Sequence, residues 1–406
     1  MKIKFYILTV FIFSFIIYSC DEEESQTQSV PARDRAEQQA TDLDTLQNYL
    51  NTHYFNSGYI NNLSSYPRIE DIEIIELLEG DELPPNTTLL INAVEERYTS
   101  YEDTSYTYYV LNLENGQGDQ PHFSDQVRVN YEGFLTNGTI FDESVTSTDI
   151  DLAFSIVGWN RVLSQFRTAD SYFINNDGTV SFDNYGIGVM FLPSGLSYFN
   201  SAAPGIPSYS CLIFKFELHQ YKVMDHDNDY IPTFMEDLDG DFNILNDNTD
   251  SDQFSDFSDS DDDGDGYSTY REVYSLELTD ISLQGLENQI QGLGSLSSDQ
   301  FFTPIELEDD GLYSTKLITL EDTNENGIPN YLDPDDTGTL DNWYLNYFLE
   351  ITFWAFLTIV SLSSPYFFIN WAGVPDSPKV SLVATNSCGT GLFSARTLAI
   401  LSPRPP

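Results

Sequence analysis

Residues 127–135 read Val-Arg-Val-Asn-Tyr-Glu-Gly-Phe-Leu, Asn137-Gly138 follows, and residues 140–144 read Ile-Phe-Asp-Glu-Ser. The first run alternates apolar and polar residues, which is the period of a strand with one buried face. Asn-Gly favours a tight hairpin turn, because both of its residues tolerate a positive φ. A second short apolar run follows this turn. The stretch therefore predicts a β-hairpin.

This hairpin resembles the signature of the FKBP-type peptidyl-prolyl isomerases, V-x-V-x-Y-x-G-x-L-x-(D/N)-G-x-x-F-D-x-S. The resemblance implies an α+β fold, with an FKBP-like antiparallel half-barrel sheet wrapped on a short helix. It places an isomerase domain at residues 106–222. One insertion, around residues 170–185, contains a further predicted hairpin that turns at Asn175-Asn176-Asp177-Gly178.

The resemblance also implies an apolar pocket. From the hairpin it assigns Tyr131, Phe141 and Asp142, with Asp142 orienting pocket side chains and not transferring a proton. Tyr198 matches the tyrosine of the family's P-x-x-x-x-Y run, which contacts the ligand. Phe214 belongs to the closing strand and is expected to face the pocket.

Five further positions complete the implied site. Leu152 replaces the first aromatic residue of the family's F-x-F-x-L-G segment, and Val162-Leu163 match the V-I pair of the pocket wall. Phe166 stands where the family usually has the tryptophan floor, so Trp159 is expected to lie outside that floor. Ile206 is expected to offer its backbone N–H to the substrate.

Rotation about an X-Pro bond must overcome the amide resonance barrier of about 18–20 kcal/mol. The twisted transition state is less dipolar than the planar imide, so an apolar, water-poor pocket favours it without any cofactor. The resemblance therefore implies prolyl isomerisation of proline-containing polypeptides, and the N-terminal sequence predicts that these are exported proteins in the cell envelope. The alternatives are a non-catalytic peptide-binding or chaperone lipoprotein on a calcium-stiffened stalk, and a purely structural adhesion stalk.

The N-terminus predicts export. Residues 1–19 combine Lys2 and Lys4 with an apolar run, and the end of this segment resembles a lipobox with Cys20 as the lipidated residue. This predicts a lipid anchor in the outer membrane, and the alternative is an N-terminal anchor helix. The acidic residues 21–24 resemble a surface-export signal of Bacteroidetes lipoproteins, and the alternative is a solvated tether.

The charge of the chain excludes whole classes of partner. The net charge is -49, with 16 Lys and Arg against 65 Asp and Glu. A chain this acidic repels nucleic acid and anionic lipid headgroups, so neither is an expected partner.

Much of the acid lies in residues 223–336, where the segment from Asp261 to Glu272 satisfies the loop pattern D-x-[DN]-x-[DN]-G-x5-E and two others repeat its spacing with one departure each. Acidic and amide oxygens at positions 1, 3, 5 and 12 of such a loop converge on one calcium ion. The first loop has Tyr230 at the glycine position, and the third ends in the shorter Asp333. The predicted ligands are Asp225, Asp227, Asp229 and Glu236 in loop 1, Asp261, Asp263, Asp265 and Glu272 in loop 2, and Asp322, Asn324, Asn326 and Asp333 in loop 3.

These loops resemble thrombospondin type 3 or dockerin-like repeats, which implies structural Ca²⁺ and little regular structure. Asp237, Asp239, Asp241, Asp250, Asp252 and Asp259 are candidates for neighbouring sites of the same array. The alternative is a disordered acidic linker.

The remaining segments carry less information. Residues 20–105 are an N-terminal extension with one amphipathic helix expected between Asp34 and His53, and Cys211 is expected in the core. Residues 337–406 form an atypical hydrophobic tail, either a genuine membrane span or an aberrant extension.

Overall fold

The computed structural model describes residues 32–144 and 146–336. The predicted signal peptide, Cys20 and the tail 337–406 lie outside these residues. The chain divides into two compact units, of which the first ends at Lys222 and the second begins at Val223. Among the helices of the described residues, none combines the length and the apolar character needed to cross a bilayer.

The first unit mixes helices with antiparallel strands. Its helices are α1 (Arg35–Thr52), α2 (Ser57–Ile60) and α3 (Val157–Leu163). Its strands are β1 (His53–Phe55), β2 (Ile74–Glu76), β3 (Thr88–Leu89), β4 (Glu95–Tyr101), β5 (Thr104–Glu114), β6 (Gln126–Leu135), β7 (Ile140–Glu143), β8 (Thr148–Asp151), β9 (Ser171–Ile174), β10 (Val180–Asp183), β11 (Gly186–Leu192) and β12 (Leu212–Lys222).

A seven-stranded antiparallel sheet organises this unit, in the order β4-β5-β11-β12-β6-β7, with β8 also paired to β6. The predicted hairpin is confirmed, because β6 pairs with β7 and Gly133 lies opposite Asp142. The inserted hairpin is confirmed as β9–β10. The sheet includes β4, which precedes residue 106, where the isomerase domain was predicted to begin.

One face of the sheet carries the core that supports the candidate pocket. Alternate residues of β6, Val127 and Val129, point to this face, as their spacing predicts. Helix α3 covers the same face and contributes Trp159, Val162 and Leu163. These three positions are related as i, i+3 and i+4, which places them on one side of the helix.

The opposite face is covered by the N-terminal segment. Leu46, Tyr49 and Leu50 of α1 are buried in one cluster with Phe191 of the sheet and with Cys211, which directly precedes β12, so Cys211 is a core residue as predicted. The sheet is thus apolar on both faces, and the N-terminal extension is part of the first compact unit.

A buried carboxylate network also fastens the N-terminal segment to the sheet. Glu217 on β12 accepts hydrogen bonds from the Ile69 N–H at 2.9 Å and from Asn130 Nδ2 at 2.8 Å. Its other close partner is His219 Nε2, at 3.2 Å. Burial alone raises the pKa of Glu217, but the contacts with His219, Ile69 and Asn130 outweigh it and hold that pKa below its ordinary value.

The second unit contains more regular structure than the sequence predicts. It has helices α4 (Thr269–Glu272) and α5 (Leu283–Gly292) and strands β13 (Val273–Asp280), β14 (Gln300–Phe302), β15 (Glu306–Leu307) and β16 (Tyr313–Leu320). The strands form an antiparallel sheet in which β16 pairs with the other three. The expectation of little regular structure is therefore wrong for residues 273–320, where Val273 and Ile318 are part of a small apolar core.

Candidate functional site

Four aromatic rings from four elements meet on the α3 side of the large sheet. The Trp159 ring packs edge-on against Tyr131 and Phe214, with ring centroids 5.2 and 5.3 Å apart. Phe141 packs edge-on against Phe214 at 5.4 Å, and Tyr131 lies 6.4 Å from Phe214. Edge-to-face contacts at these distances are attractive. The four rings are therefore one cluster, named here the aromatic pocket.

Gly133 explains how the rings of the aromatic pocket approach β6 so closely. A Cβ atom at this position would lie 2.7 Å from the rings of both Phe141 and Phe214. Only a residue without a side chain avoids that overlap. The glycine of the hairpin motif is thus required by packing against the two phenylalanines.

A hydrogen bond joins the two polar members of the predicted site. The Tyr131 hydroxyl donates to Asp142 Oδ2 at 2.7 Å, across the β6–β7 hairpin. Burial and this carboxylate raise the pKa of Tyr131. Asp142 is exposed, and its contact fixes the orientation of the Tyr131 ring. The role predicted for Asp142, orientation without proton transfer, is consistent with this contact.

Two aromatic residues differ from their predicted positions. Trp159 contacts two rings of the aromatic pocket, so the expectation that it lies outside the floor is wrong. Phe166, the predicted floor, is 0% exposed and packs edge-on against Phe216, deeper in the core. The α3 spacing that groups Trp159 with Val162 and Leu163 is the sequence signal that identifies the tryptophan.

Three further predicted residues lie in the buried cluster on which the aromatic pocket packs. Leu152, Val162 and Leu163 are 0% exposed and belong to the same buried cluster. Since they have no accessible surface, they cannot form a wall that a substrate touches. Ile156 and Val157, at the start of α3, are partly buried against this cluster and retain accessible surface.

Ile206 reaches the cluster through its side chain and not through its N–H. The side chain is buried among the residues of the pocket face. Its backbone N–H donates to Ala203 O at 2.9 Å, and Ala203 N–H donates back to Ile206 O. The predicted role of this N–H as a donor to the substrate is therefore wrong, because the donor is used within its own loop.

Tyr198 lies at the rim, in a loop that α1 holds in place. Its side chain is 41% exposed and lies near the Tyr131 phenol. In the same loop, the buried Asp42 of α1 accepts hydrogen bonds from Ser194 N–H at 2.8 Å and Ser194 Oγ at 2.6 Å. Arg35 Nη1 donates to Gly195 O at 3.3 Å. The N-terminal helix thus positions the rim of the pocket.

The acidic loops share one backbone conformation. At positions 4 and 6, φ is 64° and 85° in loop 1, 70° and 96° in loop 2, and 60° and 93° in loop 3. These values lie in the left-handed region, which glycine adopts most readily. Tyr230 adopts it at position 6 of loop 1, where the sequence departs from the motif. The sequence 237–248 repeats the conformation, with φ of 74° at Gly240 and 67° at Phe242.

The first aspartate of each loop closes the turn. Asp225 accepts from Tyr230 N–H at 3.1 Å, Asp237 from Phe242 N–H at 3.0 Å and Asp322 from Gly327 N–H at 2.8 Å. Asp261 accepts from Gly266 N–H in the same way. Four segments are therefore built alike, and the fourth, residues 237–248, is one of the neighbouring sites that the sequence suggested.

The carboxylates of these loops and of the segment between residues 249 and 260 converge in four groups, in each of which one oxygen per residue lies within 4.8 Å of the others. The groups are Asp227, Asp229, Glu236 and Asp262; Asp237, Asp239 and Asp241; Asp250, Asp252 and Asp259; and Asp261, Asp263 and Asp265. The first group differs from the predicted set of loop 1, because Asp262 of loop 2 belongs to it and Asp225 does not. Glu272, the predicted last ligand of loop 2, is buried.

Loop 3 draws its predicted ligands together through amide contacts. The side-chain nitrogens of Asn324 and Asn326 both donate to Asp333 Oδ2, at 2.9 and 2.7 Å. Asp322 accepts from the Asn326 N–H at 3.1 Å. A rotation of either amide would turn its oxygen toward the same point.

The residues of the loops fit a hard cation. Buried oxygens of Asp227, Asp261, Asp263 and Asp265 have no hydrogen-bond partner within the described part of the chain. Buried carboxylates are stable when they are paired or coordinate a metal. An all-oxygen donor set of this kind suits Ca²⁺, which takes six to eight oxygen ligands in a flexible geometry.

Comparison with known proteins identifies homology over part of the chain. The chain is 33% identical over 114 residues to the peptidyl-prolyl cis-trans isomerase Mip of Coxiella burnetii, covering 27% of this chain and 43% of that protein. It is 32% identical over 132 residues to the FKBP-type peptidyl-prolyl cis-trans isomerase FkpA of Escherichia coli, covering 32% of this chain and 42% of that protein. About a third of the chain is therefore homologous to FKBP-type isomerases, and it spans less than half the length of these relatives.

Two solved structures and one family model also match. A peptidyl-prolyl isomerase from Pseudomonas syringae is 25% identical, with 28% of this chain and 74% of that chain covered and a TM-score of 0.24. FkpA from Escherichia coli is 28% identical, with 32% and 52% covered and a TM-score of 0.25. Residues 226–288, which include loop 2 and all of loop 1 except Asp225, match a family model described as BamM C-terminal.

Proposed function

We propose that the first unit is a peptidyl-prolyl cis-trans isomerase that acts on proline-containing segments of exported polypeptides. The observation that carries this proposal is the aromatic pocket itself, in which Tyr131, Phe141, Trp159 and Phe214 meet edge to face. The homology to FKBP-type isomerases over about a third of the chain supports it.

The catalysis that we propose is non-covalent. A proline ring enters the aromatic pocket, where apolar surface excludes water and favours the twisted, less dipolar imide over the planar one. The Tyr131–Asp142 hydrogen bond holds one ring in place, and Gly133 lets Phe141 and Phe214 close over β6. The exposed Tyr198 offers a hydroxyl donor for the substrate carbonyl, in place of the occupied Ile206 N–H.

A protease-coupled assay on a prolyl peptide at low temperature tests the proposal, because uncatalysed isomerisation then takes minutes. We expect the chain to accelerate the slow phase and the Phe214→Ala variant to lose most of that acceleration. Ile174→Ala in the exposed β9–β10 hairpin is the matched control and should retain it. Binding of the peptide without acceleration would favour the non-catalytic alternative.

We also propose that the acidic loops bind Ca²⁺ as a structural ion. The support is the shared left-handed backbone of the loops and the buried oxygens without a hydrogen-bond partner. Calcium would hold the loops in order, and its removal would leave carboxylates that repel each other. Circular dichroism during a calcium titration tests this, and no change in structure or in protease resistance would refute it.

We further propose that the protein is a lipoprotein of the cell envelope, anchored to the outer membrane through Cys20. The support is the apolar, lipobox-like segment that ends at this residue. Metabolic labelling with a palmitate analogue, compared between the wild type and Cys20→Ala, tests the proposal. Loss of label in the variant is expected, and equal labelling would contradict it.

A further inference from the structure

The group that joins loop 1 to loop 2 has properties that the sequence motifs do not account for. Asp227, Asp229 and Glu236 belong to loop 1, whereas Asp262 belongs to loop 2. Asp229, Glu236 and Asp262 are at most 1% exposed. Position 2 of a calcium loop is not a ligand position in the motif, so nothing in the pattern assigns a role to Asp262.

The buried oxygens of this group lack partners. Both side-chain oxygens of Asp227, Glu236 and Asp262 are buried without a hydrogen bond, and so is Oδ2 of Asp229. The ion pairs in the described part of the chain involve none of these four residues. A cation at the centre of the group would pair these buried oxygens, which have no other partner among the described residues.

The side chain of Asp262 belongs to a different carboxylate group from the side chains of its two chain neighbours. Its chain neighbours Asp261 and Asp263 converge with Asp265 in the group of loop 2. Between them, Asp262 turns its carboxylate to the group of loop 1, while its N–H donates to Thr269 Oγ1 at 3.3 Å. Three consecutive aspartates thus supply two separate groups.

We propose that Asp227, Asp229, Glu236 and Asp262 form a shared divalent-cation site, selective for Ca²⁺, that fastens loop 1 to loop 2. This rests on the calcium binding proposed above for the loops, and adds a ligand and a connection that the motif lacks. The donors are all carboxylate oxygens, which hard cations prefer, and Ca²⁺ accepts the irregular geometry of a site drawn from two loops.

The site also borders a third segment. Tyr331 belongs to loop 3, is buried, and lies close to Asp262 and Glu236. Tyr331 packs in the same apolar core as Ile231 of loop 1. Occupancy of one site would therefore stabilise the packing of three segments that are far apart in the sequence.

Thermal unfolding of the full chain tests the proposal, with Asp262→Asn measured in EGTA and in saturating Ca²⁺. In EGTA the variant replaces a buried carboxyl group that has no partner by a neutral amide, so the unfolding temperature of the second unit should rise above that of the wild type. In Ca²⁺ it removes a ligand, so the temperature should fall below that of the wild type. Glu236→Gln should show the same inversion. Asp256→Asn is the matched control, because Asp256 is equally buried but hydrogen-bonded to Thr249, and it should shift in one direction in both buffers.

Native mass spectrometry then counts the bound ions. Asp262→Asn and Glu236→Gln should each lose one Ca²⁺, and the double variant should lose no more than either single variant. A wild-type ion count in Asp262→Asn, with shifts of one sign in both buffers, overturns the shared site and leaves calcium binding by the loops intact. A wild type that binds no Ca²⁺ overturns both.

Limited proteolysis of the wild type gives an independent answer if a variant fails to fold. Loops 1 and 2 should become protected at the same Ca²⁺ concentration, because one ion orders both. Protection of the two loops at well separated concentrations would contradict the shared site. The isomerase rate serves as a check that the first unit is folded.

Discussion

The position of Trp159 gives the sharpest test of the aromatic pocket, because the sequence motif alone favours Phe166 as its floor. We consider Trp159→Leu and Phe166→Leu, two substitutions of buried aromatic residues by the same aliphatic one. Trp159 makes two edge-to-face contacts, at 5.2 and 5.3 Å, with Tyr131 and Phe214. Each is worth about 0.5–1.5 kcal/mol beyond area burial, so their loss costs about 1–3 kcal/mol of ring positioning. If the transition state loses this amount of stabilisation, kcat/KM falls about 5- to 150-fold.

Phe166→Leu should behave differently. Its ring contacts Phe216 and has no accessible surface, so the variant should lose stability, by about 1–3 kcal/mol, and retain most of its activity. Both variants are compared in the protease-coupled assay at a temperature where circular dichroism shows them folded. An activity loss larger in Phe166→Leu than in Trp159→Leu would refute the assignment of the floor to the tryptophan.

Three further predictions concern the first unit and one concerns the second. Tyr131→Phe removes the hydrogen bond to Asp142, and kcat/KM should fall several-fold, for a cost of about 1 kcal/mol, with little change in unfolding temperature. Asp42→Ala leaves the Ser194 N–H and hydroxyl without their buried acceptor, so urea unfolding should show a loss of about 2–4 kcal/mol; a change below 0.5 kcal/mol (roughly the error of such measurements) would contradict this. The pKa of Glu217 is lower in the folded state than its ordinary value, so its contribution to stability is present at neutral pH and is lost as the pH falls through the acid range; Glu217→Gln should flatten the dependence of stability on pH there, and an unchanged pH profile would count against the network. Chelation of Ca²⁺ with EGTA should make residues 223–336 susceptible to a protease that cleaves after acidic residues, such as Glu-C, while the isomerase rate stays the same. Equal protection with and without EGTA would disprove a structural role of the ion.

Local pattern was enough to predict much of the first unit. The alternation in residues 127–135 and the Asn-Gly turn determine β6 and β7, and the spacing of Leu46, Tyr49 and Leu50 determines the buried side of α1. The floor of the pocket was missed because the motif was aligned through Val162-Leu163 alone. The rotation of α3, which brings Trp159 onto the same side, depends on helical phase and was available in the sequence.

Tertiary placement explains the remaining differences. The loop motif predicts which residues of one loop converge, and the structure brings Asp261, Asp263 and Asp265 together as expected. No pattern within a loop can indicate that Asp262 meets carboxylates more than 25 residues away. The strands of residues 273–320 were hidden by the acidic composition around them, although the alternation of Leu276 and Leu278 in β13 is that of a half-buried strand.

The packing of α1 on the sheet would limit the distance between the aromatic pocket and a membrane if the chain were anchored through Cys20, as proposed above. Since the first helix of the folded unit begins at Arg35, only residues 21–34 would separate it from an anchor at Cys20. A fully extended segment of this length spans about 50 Å. A lipid-anchored isomerase of this design would therefore act on polypeptides close to the bilayer surface. Polypeptides farther than this distance from the membrane would not reach its pocket.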